Sequence, residues 1–522
     1  MLRLLPYTEA MARQDDNPEE TAQRSLERMR AVTRGTPYEG RLYLVGGLLR
    51  DRALGLPLAN DLDLVLEGDA LELARFLYER GLSQHYPVLY PRFGTAMVHI
   101  GGPDEAGSAV ELVSARAESY QPDSRKPEVR QSTIQDDVRR RDFTINTLLE
   151  NLHTGELLDL TGRAFADLRA GILRTPRAPR LTFFDDPLRM LRAVRFAARF
   201  GFTVEAETWE AICAEAARLR PPTIAYERIR EEFVKIAKLP GAKFRRGMEL
   251  LRESTLLERF LPEMLPMIGC TQGDWHRYDV WTHTLTALES LPDDARLEVR
   301  LALLWHDIGK PHTRSVVSTS ALASPLSRTG ASEAPHPPPT VVANEGETDR
   351  PSVRFYGHPA AGAQLVRTLM NRLKFSNEEI RDVTVLVEKH MRLGEYRHDW
   401  SDAPVKRLIR DCGSYLDDLF VLTVCDRSAV DIPPDQAADI GELRARIDAL
   451  NALSDIAHME SPLNGDVIME TLGIGPGPHL KAAKEFLLNE IIEGRLSEKD
   501  QEAARQELRN WWQMQKNTPP ML

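Results

Sequence analysis

The feature that most constrains this chain is the run DLDLVL, Asp61 to Leu66, which follows shortly after a Gly-Gly pair in LYLVGGLLRD. On a strand, successive side chains alternate between faces, so Leu62, Leu64 and Leu66 share one face and Asp61 and Asp63 share the other. The leucine face demands a packed back. Two neighbouring carboxylates repel unless a cation lies between them, and a hard ion with oxygen ligands, Mg²⁺, suits the pair. Upstream, VGG followed by LLRD reads as a tight turn into a helix, with backbone N–H groups and Arg50 disposed toward a triphosphate. An exposed strand face with two acids is ordinary by itself. The proximity of turn, arginine and paired acids favours a site.

The 522 residues suffice for several domains with real cores. Hydrophobic and charged contents of 42% and 28% fit a globular chain, and no apolar run approaches the roughly 18 residues that span a bilayer. The start, MLRLLPYTEAMARQDD, turns acidic too soon for a signal peptide. Cys213, Cys270, Cys412 and Cys425 form no CxxC pair, which argues against a disulfide framework and suits the cytoplasm. The net charge of −11 does not exclude a nucleic-acid partner, because phosphates respond to the local patch. From Gln121 to Phe200, 15 basic residues stand against 11 acidic ones.

Along the chain, residues 1–38 read as a polar, partly helical leader. From residue 39 to 178, short apolar runs (LYLVGG, DLDLVLE, GTAMVHI, AVELVSA, GELLDL) alternate with helical stretches such as DALELARFLYERG, which predicts a mixed sheet with helices. Beyond it helical patterns dominate: 179–262, 263–440 and 441–522. The Ser-, Pro- and Gly-rich stretch at about 315–350 lacks the apolar residues to offset its ordering entropy and reads as a disordered insertion. The fold class expected is α+β multidomain, a sheet-bearing head followed by helical domains.

Basic residues recur in two motifs. In RRRDFTIN, Arg139, Arg140 and Arg141 stand together. In DDPLRMLRAVRFAARFGF, Asp186 and Pro187 read as a cap and first turn, and Arg189, Arg192, Arg195 and Arg199 fall within about 120° of one helix face. A solvated basic face would give the same spacing, but not the acids placed a turn before the arginines. The helical half adds His283, His306, Asp307, His358, His390 and Asp426 on successive segments. Histidines with carboxylates suit a transition metal.

The ordered set LVGGLLRD…DLDLV, RRRDFTIN, DLTGRAFADL and DDPLRMLRAVRFAARFGF resembles the bacterial class II tRNA nucleotidyltransferases and poly(A) polymerases, a branch of the polymerase-β-like nucleotidyltransferases, over about residues 41–240. The resemblance implies a nucleotidyltransferase head and a helical neck that selects the nucleotide. It places two Mg²⁺ ions on Asp61 and Asp63, with Glu111 of VELVSAR as third carboxylate, and the incoming nucleotide on Gly47, Arg50 and Arg141. Base choice falls to Asp186 and Arg189, supported by Arg192 and Arg195. Cytosine and adenine each offer an amino donor beside a ring-nitrogen acceptor, so an Asp–Arg pair fits them and mismatches uracil and guanine. The histidine set, over about residues 276–430, resembles the HD phosphohydrolases and implies a transition metal there. SPLNGDVIMETLGIGPGPHLKAAKEFLLNEIIEGRLS resembles the tail of long bacterial tRNA nucleotidyltransferases, which contacts the tRNA elbow. The implied partners are tRNA, CTP and ATP, and the implied reaction adds C and/or A to the tRNA 3′ end. A CC-only enzyme, an A-adding enzyme, a poly(A) polymerase and an HD-type phosphohydrolase are the alternatives. ARAESYQPDSRKPEVRQSTIQDD resembles the flexible loop associated with adding A.

Overall fold

The computed structural model describes residues 18–57, 61–101, 107–121, 124–273, 277–317, 352–431, 439–453, 456 and 459–517, with Pro18, Asp61, residues 117–131, Val317, Ser352, Leu453 and Asn517 described by their backbone only. The chain divides into two compact units, residues 1–239 with 243–262, and residues 240–242 with 263–522.

The first unit is built on strands β1 (Leu42–Val45), β2 (Asp61–Leu66), β3 (Val88–Tyr90), β4 (Thr95–Ile100), β5 (Ser108–Ser114), β6 (Arg116–Gln121), β7 (Ser124–Gln131), β8 (Leu149–Asn151) and β9 (Leu157–Leu158). Seven of them form one sheet in the order β3-β4-β5-β2-β1-β8-β9, while β6 and β7 pair as a separate antiparallel ribbon. Only β2 and β5 run parallel within the sheet; its other neighbours are antiparallel. Leu62, Leu64, Leu66, Val110, Leu112, Ala96 and Val98 line the buried face. Against it pack helices α1 (Pro18–Thr33) and, after α2 (Gly47–Ala53), α3 (Ala70–Glu79). The Asp69 carboxylate caps α3 by accepting from the Leu71 and Glu72 amides. The α1 side chains Leu26 and Met29 are buried, and the Ser25 hydroxyl reaches Ser108, so residues 18–33 of the expected leader are part of this unit.

On the opposite face, Tyr43, Val45 and Val65 are covered by Ile134 and Val138 of α4 (Ile134–Arg140). The remaining helices are α5 (Ala164–Ala170), α6 (Pro179–Asp185), α7 (Leu188–Phe200), α8 (Ala206–Glu215), α9 (Tyr226–Ala237), α10 (Gly241–Glu253) and α11 (Leu257–Phe260). Helix α7 buries Met190, Leu191, Ala193 and Val194 and ends at Gly201 in the left-handed region. It starts one residue later than expected, at Leu188, whose amide is accepted by the Asp186 carboxylate at 3.2 Å.

Every strand run read from the sequence is a strand; β3, β6, β7, β8 and a short parallel pair, Ile172–Leu173 with Thr203–Val204, are additional. The stretch before Arg139 that resembles an A-adding loop forms the β6–β7 ribbon and α4.

The second unit is helical apart from a ribbon between Arg314–Val317 and Ser352–Phe355. The helices Val280–Leu288, Leu297–Trp305, His358–Arg372, Asn377–Lys389 and Leu416–Arg427 surround a histidine-rich centre. The tail keeps a core of its own, with Leu463, Ile468, Leu487, Ile491 and Leu508 buried together. Residues 1–17 of the leader and, beyond Val317, the insertion expected over about 315–350 lie outside the described residues. No helix among the described residues is long and apolar enough to cross a membrane.

Candidate active site

Parallel pairing of β2 with β5 sets Asp63 directly beside Glu111. Both line a cavity of about 200 Å³ with Arg116, Arg140 and Arg141. Asp61 pairs with Ala109 two residues away on the same face; its side chain lies outside the described residues. Two carboxylates with oxygen donors converging on one cavity fit a hard divalent ion.

The turn between β1 and α2 explains the Gly-Gly pair. Gly46 has φ 79° and ψ −135°, a conformation that is essentially glycine's alone, and a Cβ there would lie 3.2 Å from the Asp63 carboxylate. The sequence pattern points to Gly47; the close approach belongs to Gly46.

Asp63 also lines a second cavity, of about 500 Å³, with Gly46, Gly47, Arg50, Arg141, Asp142, Asn146, Arg192, Arg195, Phe196 and Arg199. Five arginines face two carboxylates there, Asp63 and Asp142. Arg50 is only 5% exposed. It donates to Asp51 at 2.7 Å and to the Asn146 side-chain oxygen at 2.8 Å, and its guanidinium stacks over Phe196 and Phe200 at 5.1 and 4.9 Å. It is therefore a fixed positive wall more than a reaching arm. Arg141 is held by the buried Asp137 through bonds of 3.0 and 2.8 Å.

Arg192 carries the cleft onward. It donates to Asp142 at 2.8 Å, and Asp142 in turn accepts from Asn146 at 3.0 Å. Burial alone would raise the Asp142 carboxyl; Arg192, Asn146 and Arg189 outweigh it and hold the group far below the usual carboxylate range. The Arg195 guanidinium donates to Glu232 of α9 at 2.7 Å and lies 4.3 Å over Phe196. Of the four arginines expected on one face of α7, Arg189 and Arg195 are buried, while Arg192 and Arg199 are partly open and pair with Asp142 and Asp51. Spacing gave the face; it could not give the acids opposite, Asp51, Asp142 and Glu232, which come from other elements. Asp142 and Asn146 stood in the RRRDFTIN motif without a role.

A third cavity, of about 370 Å³, shares Arg141, Asp142 and Arg192 with the second and adds Asp186, Leu188, Arg189, Arg228, Glu231, Glu232 and Lys235. Here five cations meet four carboxylates. The three cavities thus form one cleft that runs from Glu111 to Asp186, cationic in the middle and nearly balanced at the α7–α9 end.

The second unit brings together all six of its expected residues. His283, His306 and Asp426 form one trio and Asp307, His358 and His390 another, the ligand atoms within each lying within 4.8 Å of one another. Each histidine sets Nδ1 against a backbone carbonyl: Ala429, Leu303, Phe355 and Val387, at 3.4, 2.7, 2.9 and 2.7 Å. In His358 and His390 Nδ1 is then the donor and Nε2 presents a lone pair inward, the arrangement that orients metal-binding imidazoles, while the Nε2 atoms of His283 and His306 lie 2.8 and 3.2 Å from the Asp426 carboxylate. The Nε2 atoms of His358 and His390 are 3.2 Å apart. Two lone pairs at that distance call for a cation between them. Lys310 lies 2.7 Å from Asp307, yet neither buried Asp307 oxygen has a well-aligned hydrogen bond. Despite its burial, Asp307 and Asp426 lift His306 to about 10, while burial and His306 push His390 down to about 3. The centre draws positive charge.

Gly309 lets the second trio assemble. A Cβ there would lie 2.2 Å from the His358 carbonyl oxygen, so only glycine allows the HDIGK segment to meet the His358 helix.

Comparison with known proteins agrees with the fold. The model of the poly A polymerase head domain matches residues 42–174, and that of the probable RNA and SrmB-binding site of polymerase A matches residues 201–268. The chain is 33% identical to the A-adding tRNA nucleotidyltransferase of Deinococcus radiodurans, over 66% of this chain and 73% of that protein. It is 32% identical to the CC-adding tRNA nucleotidyltransferase of Thermus thermophilus, over 71% and 76%. Its fold is similar to that of the Bacillus stearothermophilus CCA-adding enzyme in complex with CTP, with a TM-score of 0.62 at 20% identity over 97% of this chain and all of that one. The chain belongs to the tRNA nucleotidyltransferase and poly(A) polymerase family.

Proposed function

We propose that this protein extends the 3′ end of tRNA by template-independent addition of C and/or A from CTP and ATP, with release of pyrophosphate. The observation that carries the reading is the single cleft that joins the Asp63–Glu111 pair to the Asp186–Arg189 pair. Its charge order suits a nucleoside triphosphate, with the paired acids at one end, five arginines in the middle and a nearly balanced pocket beyond.

In this reading Asp61, Asp63 and Glu111 are the catalytic carboxylates and hold two Mg²⁺ ions. When bound, such ions supply activation of the 3′-hydroxyl and neutralise charge on the leaving pyrophosphate. The chain's own contribution is positioning and fixed positive charge. Gly47 and Arg141 face the phosphates and sugar, with Arg50 as a pinned positive wall; Arg192 holds the α7 face against the head through Asp142, and Arg195 ties it to α9 through Glu232. Asp186 accepts and Arg189 donates to the base edge, which suits C and A. Asp186→Ala is expected to relax discrimination against UTP and GTP by about 10-fold or more; unchanged selectivity would remove the assignment. The domains of the reading are a head at 39–178, a neck at 179–262, a metal-centre domain at 263–440 and a tail at 441–522. Four cysteines without a disulfide accord with a cytoplasmic setting.

The deciding experiment offers the purified protein tRNA transcripts ending at the discriminator base, after the first C and after the second C, with each nucleotide separately. The pattern of incorporation separates CCA-, CC- and A-adding activity, and no incorporation on any of them removes the reading.

A second activity is favoured by the six-residue centre. The convergence of its four imidazoles on the buried Asp307 and on Asp426 supports a transition metal and a phosphohydrolase of the HD type. Asp307→Ala should abolish bound metal and hydrolysis of a model phosphodiester while leaving nucleotide incorporation intact.

A further inference from the structure

The sheet face that carries the carboxylates does not end at them. Asp63 pairs with Glu111, Glu111 with Met97, and Met97 with Val88; in the adjacent row Val113 pairs with Thr95 and Thr95 with Tyr90. Residues paired in register share a face, so one surface runs from Asp63 across β5 and β4 to the edge strand β3, three strand spacings or roughly 14 Å away. Toward the β1 side this face is closed by α4. Toward β3 it opens and turns apolar: Met97 is 37% exposed, Tyr90 40%, Phe93 44%, Val88 54% and Tyr86 59%. Tyr86 is braced edge-on by Tyr78, with ring centroids 5.4 Å apart.

These are not core residues turned outward by a slip of register. The alternate positions Ala96, Val98 and Ile100 are buried, so the packed face is the opposite one. A row of exposed aromatic and aliphatic side chains on an edge strand is a surface that favours a partner. Arginines flank it. Arg116 lines the Asp63–Glu111 cavity and also donates to the Phe93 carbonyl, which ties the Phe93 turn to the carboxylate site. Arg92 is exposed beside Phe93.

We propose that this strip, Val88, Tyr90, Phe93 and Met97, is a stacking platform for the last unpaired nucleotides of the RNA strand that is being extended. The inference rests on the nucleotidyl-transfer reading above, which puts the reacting 3′-hydroxyl at Asp63 and Glu111. From there the strip covers the path of a few nucleotides at a stacked rise of roughly 3.4 Å each. Aromatic faces accept any base, because every base has a π-face. That tolerance suits a strand whose terminal letter changes with each addition, and the two arginines complement its phosphates.

The test uses a tRNA transcript that the parent protein extends, with the paired variant Tyr90→Ala with Phe93→Ala, and a control, Tyr90→Phe with Phe93→Trp, that keeps both rings. For the alanine pair the KM for tRNA is expected to rise at least about fivefold, with KM for the nucleotide unchanged. Anisotropy of labelled tRNA in EDTA should show the same loss of affinity, and the control should stay within about twofold of the parent. An unchanged tRNA KM and affinity overturns the platform, as does an equal loss in the control. A parent dimer in sedimentation that the alanine pair dissociates assigns the strip to a second copy of this chain and overturns it too. If the parent extends no tRNA, the functional reading itself fails and takes the platform with it; intact extension with an unmoved tRNA KM refutes the platform alone.

Discussion

Gly46 joins backbone conformation to chemistry at a single position. An alanine there meets two penalties: the positive φ, of order 1–3 kcal/mol in such a region, and a Cβ 3.2 Å from the Asp63 carboxylate. Gly46→Ala is expected to lower kcat by at least about tenfold, because a displacement of the acid of even 1 Å is costly to an aligned reaction; steady-state incorporation checks it. Acid sensitivity is likewise settled by individual residues. Against their burial, Asp137 is held low by Arg141 and Arg140, Asp142 by Arg192, and Glu232 by Arg195. A carboxylate depressed in the folded state stabilises it fully above the unfolded pKa, near 4, and loses that contribution as pH falls toward the folded value. Urea melts should therefore show stability dropping steeply below about pH 4, with a shallower acid dependence in Asp142→Asn.

At the scale of elements, the strands and α7 were legible because their signals are periodic. DLDLVL alternates, and the α7 arginines repeat at helical spacing. What could not be read is which elements face each other. Arg50 looks in the sequence like an arm toward phosphate; in the fold it lies against Phe196 and Phe200 of α7, and Asp51 and Asn146 tie it down. Glu232 on α9 carried no local signal at all, since its meaning comes from Arg195 across a helix pair. The six metal-type residues were found because their residue types are rare in such density. That they form two trios, and that Gly309 permits the approach, are tertiary facts. Gly309→Ala would press a Cβ against the His358 carbonyl at 2.2 Å and separate Asp307 from His358. Metal content by elemental analysis should fall by at least about half, while incorporation by the first unit is retained.

On the scale of the whole molecule, an acidic chain of net charge −11 carries a cleft whose middle cavity sets five arginines against two acids. Averaged charge is thus a poor witness to partner class, and the local surplus from Gln121 to Phe200 was the better one. If tRNA is held through its phosphates, counterion release makes the affinity fall with salt. Between about 50 and 200 mM salt, anisotropy should record at least about a tenfold weakening of tRNA binding. A salt-independent affinity would mean that the partner is held without its backbone.

The uneven charge along the cleft gives it a polarity. A nucleoside triphosphate is itself polarised, its negative charge gathered at one end and an uncharged ring at the other. Five arginines against two acids in the middle, and five cations against four acids beyond, let only one of its two orientations fall downhill. On the proposed reading the arginines hold the phosphates, which every nucleotide shares, and the balanced end meets the base, where nucleotides differ. Inorganic triphosphate should then compete with CTP and ATP alike, whereas free cytidine and adenosine should barely compete at all.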